Sequence, residues 1–349
     1  MEVEYLLIGQ GVAGSVLACK LLERGKSFAV IDEPSFSNAS RVAGGLYNPI
    51  TGRKMVKTWQ ADDLFEALIP FYQEQEQKLK ANFFHDISIY RPFFNQHEQN
   101  EWMGKSAEPS FEKFIKEVKQ KPYLPDWVHN PYGGLLLNQS GYVDTQQFVA
   151  KLREVLIQVG KYKNETFDVN QLVTGEHFHY KEFSAEKIIF SEGRFSNNNP
   201  FFSALPFSLV KGELLFIKAD VDVKEIINRG VFMIPLGKGL FKIGSTYEHK
   251  NLDEIPTSKG KEELKERLKK LIKFDFELID QKAGVRPATK DRKPFMGEHP
   301  QIKRMFIFNG LGTKGVSLAP LLAEEFLDFT EQRGDLNEEV NISRFFSLF

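Results

Sequence analysis

The stretch Glu4-Tyr5-Leu6-Leu7-Ile8-Gly9-Gln10-Gly11-Val12-Ala13-Gly14 decides the fold. Its first five residues are an apolar run suited to a parallel strand buried on both faces, and Ser15 to Glu23 then repeats at helical period. Between them stands G-x-G-x-x-G in the strand-to-helix context that gives the motif meaning. Gly9 allows the tight turn, Gly11 lets a pyrophosphate approach the backbone, and Gly14 lets helix pack on strand. Free N–H groups at the start of the helix, around Val12 and Ala13, make the turn an anion site. A second strand, Phe28-Ala29-Val30-Ile31, ends at Asp32, where a carboxylate can accept both hydroxyls of an unphosphorylated adenosine ribose. The first thirty-two residues therefore predict a dinucleotide-binding Rossmann unit.

At 349 residues the chain is too long for that unit alone. The expected fold is α/β, with a Rossmann-type domain built discontinuously from 1–60, 132–205 and 284–349. A second, mainly antiparallel β domain with helices takes 61–131 and 206–283. A formal net charge of −1 provides no overall attraction to nucleic acid or membrane. The single cysteine, Cys19, excludes an internal disulfide, and its place within the first helix makes it a packing residue rather than a nucleophile or covalent cofactor tether. No apolar run approaches the roughly twenty residues of a membrane span, and the first strand begins too early for a leader, so a cytoplasmic protein is expected.

After Asp32, the segment from Pro34 to Pro49 is rich in small residues and contains Arg41 and Ala43-Gly44-Gly45-Leu46. It reads as a second strip of backbone donors, with Arg41 placed to neutralise a pyrophosphate. Helices are expected from Trp59 to Lys80, from Ser110 to Lys119, from Thr145 to Val159 and, basic and amphipathic, from Ser258 to Phe274. His177 and His179 alternate on a strand with no third ligand nearby, so no metal is assigned. Glu186 to Phe190 returns to the nucleotide sheet and ends at Ser191-Glu192-Gly193, where Gly193 admits a ligand at a strand's carboxyl end. Residues 207–247 read as meandering β structure.

Near the carboxyl terminus, Gln281 to Pro287 is a strand carrying Arg286. Met305 to Phe308 leads through Asn309-Gly310-Leu311-Gly312-Thr313-Lys314-Gly315 into a helix. This second strand, glycine turn and helix aims another positive helix end across the crevice.

With Gly9 to Gly14, Ala43 to Leu46, Val210 to Glu213, Gly284 to Asp291, Pro294 to Gly297 and Gly310 to Pro320, the sequence resembles the D-amino-acid oxidase-like (DAO) family of FAD oxidoreductases. It stands near glycine oxidase and the oxidase domain of a bifunctional tRNA-modifying protein. The resemblance implies non-covalent FAD, with adenosine on Asp32, pyrophosphate at Gly11 to Gly14, and flavin between Ala43 to Leu46 and Gly310, Gly312, Thr313, Lys314 and Gly315. It implies Arg286 as the grip on a substrate carboxylate and Lys314 as an aid to charge on the reduced flavin. A tyrosine that assists relatives falls at Phe232, with Tyr247 as its substitute.

The expected function is oxidation of a C–N bond in a small amine or amino acid by hydride transfer from Cα to flavin N5, followed by imine hydrolysis. O2 or another acceptor reoxidises the flavin. The alternatives are oxidation of a carboxymethylaminomethyl group on tRNA, using Arg53, Lys54, Lys57 or the 258–274 helix, and a non-catalytic flavin-binding protein.

Overall fold

The computed structural model describes residues 1–33, 39–52 and 54–349. Pro34 to Asn38 of the small-residue segment and Arg53 lie outside the described residues.

Five parallel strands form the core of the eight-stranded nucleotide sheet, in the order Tyr162–Asn164, Phe28–Asp32, Glu2–Ile8, Phe183–Phe190, Met305–Asn309, with Leu172–Val173, Phe178–Tyr180 and Phe295–Glu298 added antiparallel. The strand order turns back at Glu2–Ile8, so the crevice at its carboxyl end is the switch point where open α/β sheets bind ligands. Tyr5, Leu6 and Leu7 are each 0% exposed, which is why the run lacks polar alternation. On one face, helices Val12–Glu23 and Gly315–Thr330 pack Val16, Leu17, Leu322 and Phe326 against Leu7 and Phe308. On the other, Phe202, Phe295 and Ile342 cover Leu6, Ile8 and Ile307. Each such buried side chain contributes roughly 1.5–3 kcal/mol. Cys19 is buried in this core, and burial raises its thiol well above its ordinary value.

The second sheet has eight strands, in the order Glu277–Arg286, Val210–Lys218, Leu240–Gly244, Val231–Gly237, Ile226–Arg229, Ile89–Pro92, Gly134–Leu137, Ile115–Lys119. Only the pair between Ile226–Arg229 and Ile89–Pro92 is parallel. Period-two alternation sorts its faces. Leu215, Ile217, Val231 and Met233 meet Leu264 and Leu268 of helix Ser258–Lys269, whereas Phe232 and Ile234 point to the opposite face. Thr257 Oγ1 caps that helix by accepting the Gly260 N–H at 3.0 Å, and the buried Glu213 carboxylate takes the Thr257 N–H at 2.8 Å.

Two expectations change here. Residues 115–119, read as the end of a helix, are an edge strand paired with Gly134–Leu137. Gly134–Leu137, placed by the boundary at 132 with the nucleotide unit, belongs to the second sheet. His177 and His179 are exposed on either side of buried Phe178. Among the described residues no helix is long and apolar enough to cross a membrane.

Candidate active site between two glycine turns

The first turn is shaped by backbone proximity. A Cβ on Gly14 would lie 2.0 Å from the Gly9 carbonyl oxygen, so only glycine lets the helix descend onto the turn. Gly11 occupies the N-cap of helix Val12–Glu23. The Val12 N–H donates to Ser40 Oγ at 2.9 Å, and the Gln10 N–H donates to Asp32 Oδ1 at 2.9 Å. Asp32 thus reaches the turn from the end of the neighbouring strand. Arg41 stands in the short helix Ala39–Val42 that follows, and Gly284 of the second sheet packs on it, since a Cβ there would lie 3.3 Å from Val42 Cβ.

The second turn comes alongside. A Cβ on Gly315 would lie 3.9 Å from Val12 Cγ1, so the two helix N-termini are neighbours. Asn309 ties this turn to the one at Gly193. Its Nδ2 donates to Gly193 O at 2.9 Å and Ser196 Oγ at 2.7 Å, while its Oδ1 accepts the Gly310 N–H at 2.8 Å. Thr313 is exposed. Lys314 occupies the N-cap of helix Gly315–Thr330, and burial, together with Lys293 and Arg292, lowers its pKa.

The third wall is the loop Ala43-Gly44-Gly45-Leu46. Gly45 has φ +68°, and a Cβ would lie 1.9 Å from Val143 O, so no side chain fits. A Cβ on Gly44 would lie 2.6 Å from Phe232 Cζ, which brings Phe232 of the second sheet onto the loop. Lys242, on the adjacent strand, donates from Nζ to Ala43 O at 3.3 Å, and burial lowers its pKa. This buried cation had no signal in the sequence beyond its strand position.

Arg286 ends strand Glu277–Arg286 on this same face. Its guanidinium lies over Gly212, where a Cβ would come within 1.9 Å of Nη2. Nη2 donates to Ser245 Oγ at 2.8 Å and Nη1 to Thr246 O at 3.3 Å. Among the described residues no carboxylate forms an ion pair with it. Burial lowers its pKa, with Tyr247 acting in the opposite sense. The Tyr247 ring centroid is 4.9 Å from Arg286 Cζ, and this tyrosine, 61% exposed, caps the guanidinium from the solvent side. A guanidinium without a counter-ion, bonded only to neutral oxygens, is a site for an anionic ligand.

Glu192, next to Gly193, is held by Asn199 Nδ2 at 2.8 Å and Ser196 Oγ at 3.3 Å, yet burial pushes its pKa up to about 7. The native protein therefore holds a proton there that the unfolded chain releases near pH 4.5. The contribution to stability is full below that value and is lost as pH rises through about 7, by up to about 3 kcal/mol. Melting temperatures of Glu192→Gln measured from pH 5 to 8 should fall less than those of the parent; equal slopes would refute the assignment.

Two adjacent helix N-termini, a strand-end carboxylate and a glycine loop form a cradle that side chains would fill, and its backbone donors suit the pyrophosphate of FAD. The fold and this cradle define an FAD-dependent oxidoreductase. The chain belongs to the DAO family, FAD dependent oxidoreductase, which it matches over residues 4–328. It is 24% identical to glycine oxidase of Pseudomonas aeruginosa, with 95% of this chain and 96% of that protein covered. It is 23% identical to the tRNA 5-methylaminomethyl-2-thiouridine biosynthesis bifunctional protein MnmC of Marinobacter nauticus, with 93% of this chain and 54% of that protein covered. The crystal structure of glycine oxidase from Geobacillus kaustophilus superposes with a TM-score of 0.80 at 19% identity, over 100% of this chain and 98% of that one.

Proposed function

We propose that this oxidoreductase oxidises a C–N bond of a small amine or amino acid whose carboxylate is held by Arg286. The observation that carries this is the Arg286 guanidinium, bonded to Ser245 Oγ and Thr246 O but to no acid, on the sheet face that meets the Ala43–Leu46 loop. FAD, when bound, supplies the acceptor for the Cα hydride and its electron pair, and the resulting imine hydrolyses in water. Gly9, Gly11, Val12, Ala13, Gly14, Asp32 and Arg41 would hold its adenosine and pyrophosphate, with Ala43, Gly44, Gly45, Leu46, Gly193, Gly310, Gly312, Thr313, Lys314 and Gly315 around the rest.

The chain's own side chains bind and orient. Arg286 fixes one end of the substrate, Tyr247 shields that contact from water, and Phe232 with Leu214 keeps the adjoining face apolar. No protein base is required if the amine arrives neutral. Lys314 places positive charge beside the second helix N-terminus, where it favours the added electrons. O2 or another acceptor completes the turnover.

The reading is tested by mixing the purified holoprotein anaerobically with glycine, N-alkylglycines and other α-amino acids. Loss of flavin absorption with one of them is the expected result; no bleaching by any amine or amino acid would overturn it.

The resemblance to the MnmC oxidase region keeps a tRNA substrate in view, but alternation in strand Val210–Lys218 weighs against the basic helix as its platform. Glu213 touches helix Ser258–Lys269 at Gly260, whereas Gly212 touches Arg286, so helix and guanidinium lie on opposite faces of the sheet. Lys265 and Arg267 are also paired with Glu262 and Glu263 on the helix itself.

A further inference from the structure

Asp32 is more heavily engaged than a ribose acceptor needs to be. Oδ1 accepts the Gln10 N–H at 2.9 Å and Oδ2 accepts from Arg153 Nη2 at 3.1 Å, while the Tyr162 hydroxyl shares its one proton between Oδ2 at 3.1 Å and the Asp32 backbone oxygen at 3.2 Å. The ion pair is largely buried, with 14% of the Arg153 and 12% of the Asp32 side chain exposed. A carboxylate has about four acceptor positions. Among the described residues the Arg153 cation and the Tyr162 hydroxyl both lie at Oδ2, whereas Oδ1 meets only the Gln10 N–H, so Oδ1 is the oxygen better placed to take a ribose hydroxyl.

The frame that imposes this comes from two further elements. Arg153 projects from helix Thr145–Gln158, which is tied to the first turn by Gln10 Nε2 donating to Val149 O at 3.0 Å. Tyr162 belongs to the strand beside Phe28–Asp32, and its ring lies 5.4 Å from Arg153 Cζ. Among the described residues, Arg153 Nε is buried and has no hydrogen-bond partner. Burying a charge pair has a desolvation cost that geometry has to offset, and this pair leaves a donor unsatisfied. It is thus poorly explained as a stabilising bridge.

We propose that Arg153 is a positioning residue for the adenosine half of the cofactor, holding Asp32 through Oδ2, beside Tyr162, so that Oδ1 is presented to the ribose. The inference rests on the assignment of the first turn to the adenosine and pyrophosphate of FAD. The guanidinium also offsets the Asp32 charge, which removes the electrostatic repulsion of a phosphorylated ribose that Asp32 alone would exert.

The test measures FAD affinity by flavin fluorescence, and ADP affinity by its competition with FAD, for the parent, Arg153→Met, Asp32→Asn and the double variant, with melting of each apoprotein as the check on folding. Arg153→Met should weaken FAD and ADP together, by about tenfold each. In the Asp32→Asn background the same substitution should add little, because the residue acts through that carboxylate. Unchanged FAD affinity in Arg153→Met, weaker FAD with unchanged ADP, or losses that simply add in the double variant would each overturn the proposal. Where apoprotein melting drops with the FAD affinity, Arg153→Lys decides: recovered melting without recovered ADP binding supports positioning, and recovery of both by charge alone overturns it. A parent protein that binds neither FAD nor ADP would instead refute the turn assignment.

Discussion

Arg286→Ala is expected to lower kcat/KM for amino-acid substrates about ten- to a hundredfold while the protein stays yellow. A charge-assisted contact to a carboxylate contributes roughly 1.5–3 kcal/mol, and each 1.4 kcal/mol is about tenfold. The environment of Arg286 makes the loss specific. Its partners Ser245 Oγ and Thr246 O are neutral and near solvent-exposed Tyr247, so truncation leaves no buried charge behind. Arg286→Lys should restore only part of the effect, because an ammonium cannot reproduce two parallel N–H bonds. The decisive comparison is between an amino acid and the corresponding amine. If both lose equally, or neither loses, the carboxylate grip is wrong.

Gly14→Ala is expected to abolish retention of FAD and to lower the melting temperature. The added Cβ would meet the Gly9 carbonyl oxygen at 2.0 Å, and because the clash is with backbone, no flexible side chain can yield. Overpacking at buried positions costs about 1–3 kcal/mol, and here any relief has to move the helix start or the turn that the cofactor needs. Affinity for FAD should therefore fall by roughly ten- to a hundredfold. Gly25→Ala is the control. A Cβ at Gly25 meets nothing within 4 Å, so strain there comes from its φ of +65° alone and FAD affinity should hold. Colour retained at parental levels in Gly14→Ala would remove the first turn from the cofactor site.

What was legible in the sequence was local. Gly9 to Gly14, Asp32 and the Gly310 to Gly315 turn announce themselves because strand, turn and helix are consecutive, and hydrophobic period alone places them. The roles of Asn309, Ser40 and Arg153 were not legible, because each depends on partners far along the chain. Asn309 meets Gly193, Arg153 meets Asp32, and Ser40 meets Val12, with no periodicity linking the members of a pair. The helix expected over Ser110 to Lys119 failed at residues 115–119 for another reason. Phe111, Phe114, Ile115 and Val118 repeat at helical spacing, but pairing with Gly134–Leu137 supplies an edge that overrides the local preference. Tyr247, expected in a strand, stands beyond the end of Leu240–Gly244 and reaches Arg286 from the loop.

The packing of Gly284 against Val42 and Ala39 joins the strand bearing the guanidinium to the short helix that follows Asp32. Strand and helix come from opposite ends of the chain, yet they abut with no space for a side chain larger than hydrogen without displacement. With Asp32 and Arg286 in their proposed roles, the spacing between cofactor anchor and substrate grip would be built into the framework, like the fixed jaw of a gauge. Substrates would then be sorted by how far their reacting carbon stands from their carboxylate.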